Sequence, residues 1–211
     1  MISLFAVVVL SYLIGSFPTS IIVSKYLKGI DIRDFGSGNP GGTNVWRTLG
    51  WKAGISVMLL DVAKGWVAAY YIAQFGYENG LISHLIVQIL AGISSILGHV
   101  YPIFSKFKGG KGVGTAAGML IAIYPLALLF CFSVFLLVAF STKYVSLASM
   151  LAAITLPISL YLIEIYTEQP TSPIQFYFAV LVALFIVFTH RSNIGRLLKG
   201  EENRFGSEKK D

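Results

Sequence analysis

The residues that are best suited, by type and by spacing, to bind a ligand or catalyse a reaction form the stretch FGSGNPGGTNVWR at positions 35–47. Its glycines allow successive backbone N–H groups to turn toward one point and form an anion-binding nest; they are Gly36, Gly38, Gly41 and Gly42. Arg47 supplies a planar guanidinium suited to phosphate or carboxylate. Further side-chain hydrogen-bond donors are Ser37, Asn39, Thr43 and Asn44. The stretch therefore predicts an anion site, with an ordinary turn between two membrane spans as the alternative.

A second glycine-rich stretch, KGGKGVGT at positions 108–115, directly precedes an apolar run. If a helix begins there, its backbone amides and the positive end of its dipole face an incoming phosphate, with Lys111 beside them. The stretch is not a Walker A loop, because that signature needs a glycine in place of Ser105 and a hydroxyl residue after the lysine. The alternative is a basic anchor for acidic lipids. The other candidate binding residues here are Lys108, Gly109, Gly110 and Gly112.

Two further polar segments lie toward the C-terminus, at 142–149 and 190–202. Ser149 follows Ser146 near the start of an apolar run, where serine commonly does no more than pack between membrane helices. His190 closes the last apolar run, and Asn193 lies one helical turn later on the same face. A histidine at that level could orient a phosphate or move a proton, or be a hydrogen-bonded interfacial residue.

Asp61 and Lys64 lie in the middle of an apolar run, three residues apart, so they face each other on a helix. Ionisable residues inside a membrane are functional by default, although a pair that only bridges helices is an equal alternative. His84 and His99 show no metal-ligand spacing and are interpreted as structural. Cys131 is the single cysteine, which excludes an internal disulfide and a thiolate metal cluster.

Composition places all these residues in an integral membrane protein. Of the 211 residues 55% are hydrophobic and only 12% are charged, and the mean hydropathy is +0.74. Such a chain is too apolar to cover a water-soluble globule. The net charge of +6 does not indicate nucleic-acid binding here, because basic residues of a membrane protein mark its cytoplasmic face. We expect a single domain over residues 1–211, retained in the membrane.

Apolar runs long enough to cross about 30 Å of hydrocarbon occupy 2–24, 53–75, 81–103 and 145–165, with a shorter one at 176–190. The run 112–140 is too long for one crossing, and Pro125 predicts a break into two short antiparallel helices. Seven spans then place every lysine and arginine except Lys64 on one side of the membrane. The predicted fold is an all-α membrane protein with seven transmembrane helices, the N-terminus outside and the C-terminus cytoplasmic.

This topology places every polar motif on the cytoplasmic face. The four segments 35–47, 108–115, 142–149 and 190–202 can therefore meet at one site. A cationic, glycine-lined site at the inner leaflet suits substrates that carry phosphate, including one with a long apolar chain.

Taken together, GSGNPGGTN, GGKG and HRSNIGRLL resemble the PlsY family of bacterial membrane enzymes, and the resemblance runs over essentially the whole chain. It implies acyl transfer from acyl phosphate to glycerol 3-phosphate, which gives 1-acyl-glycerol 3-phosphate (lysophosphatidic acid) in phospholipid synthesis. The implied location is the bacterial cytoplasmic membrane. The resemblance also implies that neither acyl-CoA, a metal nor another cofactor takes part.

The resemblance assigns roles to individual residues. Ser37 and Arg47 match the serine and arginine of the family's first motif, and Ser149 matches a serine of the active site. The loop for glycerol phosphate corresponds to Gly109, Gly110, Lys111 and Gly112. The third motif corresponds to His190 and Asn193, with Glu202 as its structural glutamate. Gly42 and Gly114 depart from the pattern, because the family often has alanine there.

These residues suggest direct attack by the glycerol 1-hydroxyl on the acyl carbonyl, with phosphate as the leaving group. Arg47 and Lys111 would offset the repulsion between the two anionic substrates, and a substrate phosphate oxygen would accept the hydroxyl proton. The HxxxxD pattern of another acyltransferase class is absent, since Ile89, Phe104 and Gly195 follow the three histidines at that spacing. The main alternative is an organic-anion transporter, although all motifs crowd one face and no half-repeat is evident. A phosphatidyl-alcohol synthase lacks its aspartate-rich metal motif here.

Overall fold

The structure is a computed structural model that describes residues 4–77, 82–167 and 171–205. These residues form ten α-helices and three short 3₁₀ segments, with no strand among them, which confirms the all-α class. The first six helices are α1 Leu4–Gly15, α2 Thr19–Lys28, α3 Gly42–Leu49, α4 Trp51–Tyr70, α5 His84–Val100 and α6 Val113–Ile123. The last four are α7 Pro125–Thr142, α8 Val145–Thr167, α9 Pro173–Thr189 and α10 Arg191–Leu198.

The chain divides into two compact units, Met1–Ile123 and Tyr124–Asp211. The first contains α1 to α6 with both glycine-rich motifs, and the second contains α7 to α10 with the remaining motif residues. A single functional domain over the whole chain stays a prediction.

Five helical segments of the described chain are long and apolar enough to cross a membrane: Leu4–Lys28, Trp51–Gly76, His84–Ser105, Pro125–Thr142 and Val145–Thr167. The pair α9 and α10, bent by 58°, makes a sixth if it forms one span. The apolar helix α6 has 11 residues, about 17 Å, which is too short for a full crossing. The count of seven spans and the orientation of the termini stay predictions.

The first apolar run is one candidate span, as expected over 2–24, but its helix is interrupted. Helix α1 ends at Gly15 and α2 begins at Thr19. Pro18 lies between them, and because it has no backbone N–H and fixes its own φ, it ends a helix locally. The break leaves the carbonyl of Phe17 outside the regular helical ladder, where it accepts the N–H of Thr19 at 3.0 Å and can also accept from a partner elsewhere in the chain.

The predicted break in 112–140 is present. Helix α6 ends at Ile123, and Pro125 is the first residue of α7, where its missing N–H costs no hydrogen bond. The last long helix begins earlier than the predicted 176, at Pro173, because Ser172 forms a capping box with Gln175.

Helix α4 lies between the two motif-bearing helices of the first unit, α3 and α6. A β-carbon on Gly54 of α4 would come within 2.5 Å of the Trp46 β-carbon of α3. On the other side, β-carbons on Gly65 of α4 and Gly118 of α6 would overlap the backbone oxygens of Thr115 and Val62. These glycines let the helix backbones touch, as small residues do at membrane helix contacts. One rigid helix therefore positions both motifs.

Candidate active site

The first motif consists of a loop and a helix, not one continuous turn. Residues 35–41 form the loop, and α3 begins at Gly42. Gly36 and Gly38 adopt left-handed conformations, with φ of 61° and 70°. Glycine adopts these angles without strain, so the predicted backbone freedom is used at these two positions.

Asn44 stabilises this loop from inside. Its Nδ2 donates to the carbonyls of Ile32 (3.2 Å) and Phe35 (2.9 Å), and its Oδ1 accepts the backbone N–H of Ser37 (2.9 Å). The residue is buried, and a β-carbon on Gly36 would overlap its amide. Both hydrogens of its amide bond to loop carbonyls here, so donation from Asn44 to an anion stays a prediction.

The other polar residues of the first motif are half-buried side chains, namely Ser37, Asn39, Thr43 and Arg47. Thr43 and Arg47 lie one turn apart on α3 and share a face, while Val45 points into the apolar core of Ile21, Ile32, Ala53 and Val57. The motif thus presents a loop serine together with a threonine and an arginine on one helix face.

The second motif is also more closely packed than expected. The backbone N–H groups of Gly109 and Gly110 donate to the carbonyls of Val100 (3.2 Å) and His99 (3.1 Å) at the end of α5. These two amides therefore have backbone partners within the protein, and their predicted contact with a phosphate stays a prediction. The amides in the first turn of α6 have no intrahelical acceptor, as at the start of any α-helix.

These two glycines are required by close packing. A β-carbon on Gly109 would overlap the His99 carbonyl oxygen, and one on Gly110 would overlap the His99 ring. Gly112 serves a different purpose, since its φ of 86° turns the chain into α6. Between them, Lys111 is half-buried, whereas Lys108 is exposed.

A cleft of about 620 Å³ joins the two motifs within the first unit. Its lining includes Gly38 and Asn39 of the first motif and Lys108 and Gly109 of the second. The remaining lining residues are Asp31, Arg33, Asp34, Pro40 and Lys106. Ser37, Arg47 and Lys111 are not part of this lining, although their neighbours in the chain are.

Asp31 and Arg33 form an ion pair in the cleft, with 2.6 Å between Oδ2 and Nη2. The hydrogen bond from the Arg33 side chain lowers the pKa of Asp31 to about 2. The charge of Arg33 is thus largely neutralised by Asp31. The rest of the lining contains two cations, Lys106 and Lys108, and one carboxylate, that of Asp34. The cleft carries a net positive charge, which suits an anionic ligand.

Asp61 and Lys64 form the predicted pair, with 2.9 Å between Oδ1 and Nζ. Two residues distant in sequence complete the cluster: Thr19 donates its hydroxyl to Asp61 (2.6 Å), and His99 Nδ1 lies 3.5 Å from the same oxygen. Lys64 Nζ also reaches the carbonyl of Phe17 at 3.4 Å, in the break between α1 and α2. The pair therefore bridges helices, and His99 has a specific partner that its sequence spacing did not indicate.

In the second unit, Glu202 gathers three side chains. Its Oε1 accepts from Ser146 Oγ (2.9 Å) and Asn193 Nδ2 (2.7 Å), and its Oε2 accepts from Arg196 Nε (2.8 Å). Burial would raise the pKa of Glu202, but these hydrogen bonds outweigh it and hold the pKa below its ordinary value. The carboxylate ties α8, α10 and the chain after α10 together, as a structural glutamate would.

Ser149 and His190 complete the predicted residues of this unit. Ser149 is buried and donates to the carbonyl of Val145 (2.8 Å) on its own helix. His190 forms the junction of α9 and α10, is 2% exposed, and has Nδ1 2.8 Å from the Ile186 carbonyl. Because a carbonyl only accepts, Nδ1 carries the proton in that contact.

No group of three His, Cys, Asp or Glu side chains comes together as metal ligands within the described ranges. The Asp61 cluster contains one carboxylate and one imidazole with a lysine beside them, which is unsuitable for a cation.

Known proteins are similar to this chain in sequence and architecture. Residues 5–200 match the family model described as glycerol-3-phosphate acyltransferase. The glycerol-3-phosphate acyltransferases of Chlorobium limicola and Pelodictyon phaeoclathratiforme are 46% and 45% identical, over 97% of this chain and 97% of theirs.

Two solved structures are similar along nearly the whole chain. Both are crystal structures of PlsY (YgiH), an integral membrane glycerol 3-phosphate acyltransferase, at 40% identity and covering 96% of this chain. The glycerol 3-phosphate form has a TM-score of 0.84 and is covered to 96%, and the lysophosphatidic acid form has a TM-score of 0.81 and is covered to 95%. With its glycine-rich motifs placed on one cationic cleft, this apolar, all-helical chain belongs to the family of integral membrane glycerol-3-phosphate acyltransferases.

Proposed function

We propose that the chain transfers a fatty acyl group from acyl phosphate to the 1-hydroxyl of sn-glycerol 3-phosphate. The products are 1-acyl-glycerol 3-phosphate, which is lysophosphatidic acid, and inorganic phosphate. The reaction takes place at the cytoplasmic face of a bacterial inner membrane, as the first acylation of phospholipid synthesis. It needs neither a metal nor an organic cofactor, because the acyl phosphate is already activated.

The cleft of about 620 Å³ is the observation that carries this proposal. Its size lies within the range of about 300–1,000 Å³ that is typical of small-molecule sites. Gly38 and Asn39 line one side and Lys108 and Gly109 the other, so a ligand in the cleft contacts both motifs. The excess of cationic side chains favours a phosphate ester over a neutral alcohol.

The proposed chemistry is a single displacement at the acyl carbon. The glycerol hydroxyl oxygen forms a bond to the carbonyl carbon, the bond to the phosphate oxygen breaks, and the hydroxyl proton passes to a phosphate oxygen. Phosphate is a good leaving group, so the protein's main task is to hold two anions together and stabilise the oxyanion.

The residues of the first unit take the following parts. Arg47 and Lys111 offset the negative charge of the two phosphates, and Ser37 donates a hydrogen bond. Thr43 shares the face of Arg47 and joins it in binding. Asn44 acts indirectly, since its hydrogen bonds shape the loop that carries Ser37.

For the second unit the roles come from the family resemblance. His190 binds a phosphate or relays a proton, and Asn193 and Ser149 orient a substrate group. The hydrogen bond from Asn193 Nδ2 to Glu202 Oε1 (2.7 Å) fixes the orientation of the Asn193 amide.

The transporter alternative receives no support, because the named relatives reported above are acyltransferases. The lysophosphatidic acid form of PlsY supports the proposed product, since acylation of glycerol 3-phosphate yields that compound.

The deciding experiment for the acyl donor uses the purified protein in detergent micelles with radiolabelled glycerol 3-phosphate. One reaction receives palmitoyl phosphate and a parallel one receives palmitoyl-CoA, and labelled lysophosphatidic acid is measured in both. We expect product with palmitoyl phosphate alone. Product with palmitoyl-CoA alone would overturn the donor assignment. In a second assay with the protein in liposomes, uptake of labelled glycerol 3-phosphate without any acylated product would favour a transporter.

Lys111→Ala tests the assignment of the second motif. Loss of a cation that contacts a phosphate costs about 1.5–3 kcal/mol, so we expect the KM for glycerol 3-phosphate to rise by at least about tenfold. Lys28→Ala, at the exposed end of α2 and outside the cleft lining, serves as a control for loss of positive charge. An unchanged KM and kcat in the Lys111 variant would show that this loop does not bind the glycerol phosphate.

A further inference from the structure

His99, the second-last residue of α5, contacts both the Asp61 cluster and the second glycine motif. Its Nδ1 lies 3.5 Å from Asp61 Oδ1, and the opposite edge of its ring packs directly on Gly110. Its backbone carbonyl accepts the N–H of Gly110 at 3.1 Å. With a side-chain exposure of 8%, the ring is enclosed by these neighbours.

The carboxylate behind His99 is itself held from several directions. Thr19 of α2 donates to Asp61 at 2.6 Å, and Lys64 of α4 pairs with it at 2.9 Å. Lys64 in turn reaches the Phe17 carbonyl in the break between α1 and α2. A carboxylate that is anchored in this way fixes the orientation of a histidine ring, as it does for histidines that ligate metals.

The ring limits where the glycine motif can lie. Two hydrogen bonds attach Gly109 and Gly110 to the end of α5, and the imidazole leaves no space for a methyl group on Gly110. The next residue is Lys111, followed by the left-handed Gly112 that leads into α6. A displaced ring therefore displaces the backbone that carries Lys111.

We infer that His99 is a positioning residue for the acyltransferase reaction: held by Asp61, it sets the position of the 109–110 backbone and through it the Lys111 ammonium group. The inference rests on the proposed assignment of this motif to the phosphate of glycerol 3-phosphate. It gives a function to the Asp61–Lys64 pair as well, because that pair holds the ring that supports the motif.

If His99 only filled space in the core, its substitution would have a different effect. Its loss lowers stability and reduces the fraction of active protein, which lowers apparent kcat for all substrates. A positioning residue changes the binding of one substrate selectively. The separating measurement is therefore the KM for glycerol 3-phosphate against the KM for acyl phosphate, determined on protein whose folding has been checked by thermal unfolding.

The variants are His99→Ala and His99→Asn. Asparagine keeps an amide donor close to the position of Nδ1, so it preserves the contact with Asp61 but not the ring against Gly110. We expect the KM for glycerol 3-phosphate to rise by about tenfold or more in His99→Ala and by less in His99→Asn. The KM for acyl phosphate stays within about twofold. His84→Asn, at the other end of α5 where the ring contacts Tyr77, is the matched control and leaves both constants unchanged.

A double-variant test examines the contact with Gly110 itself. Gly110→Ala introduces a methyl group into space that the ring occupies, and we expect it to raise the KM for glycerol 3-phosphate. In the His99→Ala background that space is vacant, so the same change raises the KM much less. Multiplicative effects of the two changes would overturn the inference, because they would show that the ring and the glycine act independently.

The outcomes separate this inference from the proposed function. If Lys111→Ala leaves the KM for glycerol 3-phosphate unchanged, the phosphate assignment fails and the inference fails with it. If Lys111→Ala raises that KM while His99→Asn and His99→Ala do not, only the inference fails. If His99→Ala does not fold, His99→Asn and Gly110→Ala decide: the inference is overturned unless both raise the KM for glycerol 3-phosphate.

Discussion

Asp61 in the first unit and Glu202 in the second are both buried carboxylates with three side-chain partners, yet their surroundings differ. Asp61, 4% exposed, is paired with an equally enclosed lysine inside an apolar span and with a threonine and a histidine. Glu202, 8% exposed, lies beyond the last helix and accepts from a serine, an asparagine and an arginine that is 30% exposed.

The difference concerns what remains when one partner is lost. Removing Asp61 leaves the Lys64 ammonium group in an apolar interior, and an uncompensated buried charge is among the most costly defects in a protein. Removing the Glu202 charge leaves neutral groups and an arginine that can reach water. The Asp61 cluster therefore maintains the packing of several helices. The Glu202 cluster acts locally and holds α10 and Asn193 in place.

The largest effect is expected for Asp61→Asn. Breaking a buried ion pair by removing one partner costs about 3–5 kcal/mol, so the variant should show a strongly lowered melting temperature in detergent. The double variant Asp61→Leu with Lys64→Met removes both charges, and it should recover most of the lost stability. If the double variant were as unstable as the single one, the cost would not come from the unpaired lysine.

A smaller loss is expected for Glu202→Gln. Hydrogen bonds to a charged group contribute about 1.5–3 kcal/mol, and glutamine keeps the shape but not the charge. The exposed neighbour Glu201 gives a matched control, since Glu201→Gln should change stability by less than about 0.5 kcal/mol. Equal melting temperatures for the two variants would show that the Glu202 cluster contributes little.

The lowered pKa of Glu202 also predicts a dependence of stability on pH. A group whose pKa is lower in the folded than in the unfolded protein stabilises fully above the unfolded value, about 4.3 for glutamate, and this contribution is lost as pH falls through the folded pKa. The melting temperatures of the wild type and Glu202→Gln should therefore converge at acid pH and separate toward neutrality. A constant difference would contradict the charged state assigned to Glu202.

The smallest effect concerns two serines on α8. Ser146 donates to Glu202, whereas Ser149, one turn later, donates only to its own helix backbone. Ser146→Ala leaves one acceptor position of Glu202 unfilled and should cost about 1 kcal/mol, and Ser149→Ala should cost less. Because Ser149 is the proposed active-site serine, its variant should lose more activity than stability. A larger fall in melting temperature for Ser149→Ala than for Ser146→Ala would contradict the different roles assigned to the two serines.

Local pattern accounted for much of the fold and part of the candidate site. The length of the apolar runs indicated the long helices, Pro125 indicated the break before α7, and the spacing of Asp61 and Lys64 indicated their ion pair. The role of Pro18 was missed, although a proline inside an expected span is the signal that could have shown the break.

The close packing of the motifs was not predictable in the same way. Glycine-rich stretches are typical both of anion-binding nests and of backbone that packs tightly on a neighbour, and the sequence does not distinguish the two. The backbone carbonyls of Val100 and His99 accept hydrogen bonds from the N–H groups of Gly109 and Gly110, respectively. The side-chain amide of Asn44 donates to carbonyls of its own loop.

The sequence by itself determined the membrane class, the helical elements and the residue types available for phosphate chemistry, because hydropathy, helical period and charge are properties of short segments. Only the tertiary structure decided that Thr19, Asp61 and His99 meet and that the cleft joins the two glycine motifs. Those contacts link residues that are far apart in the chain, and they depend on how close α4 lets its neighbouring helices approach.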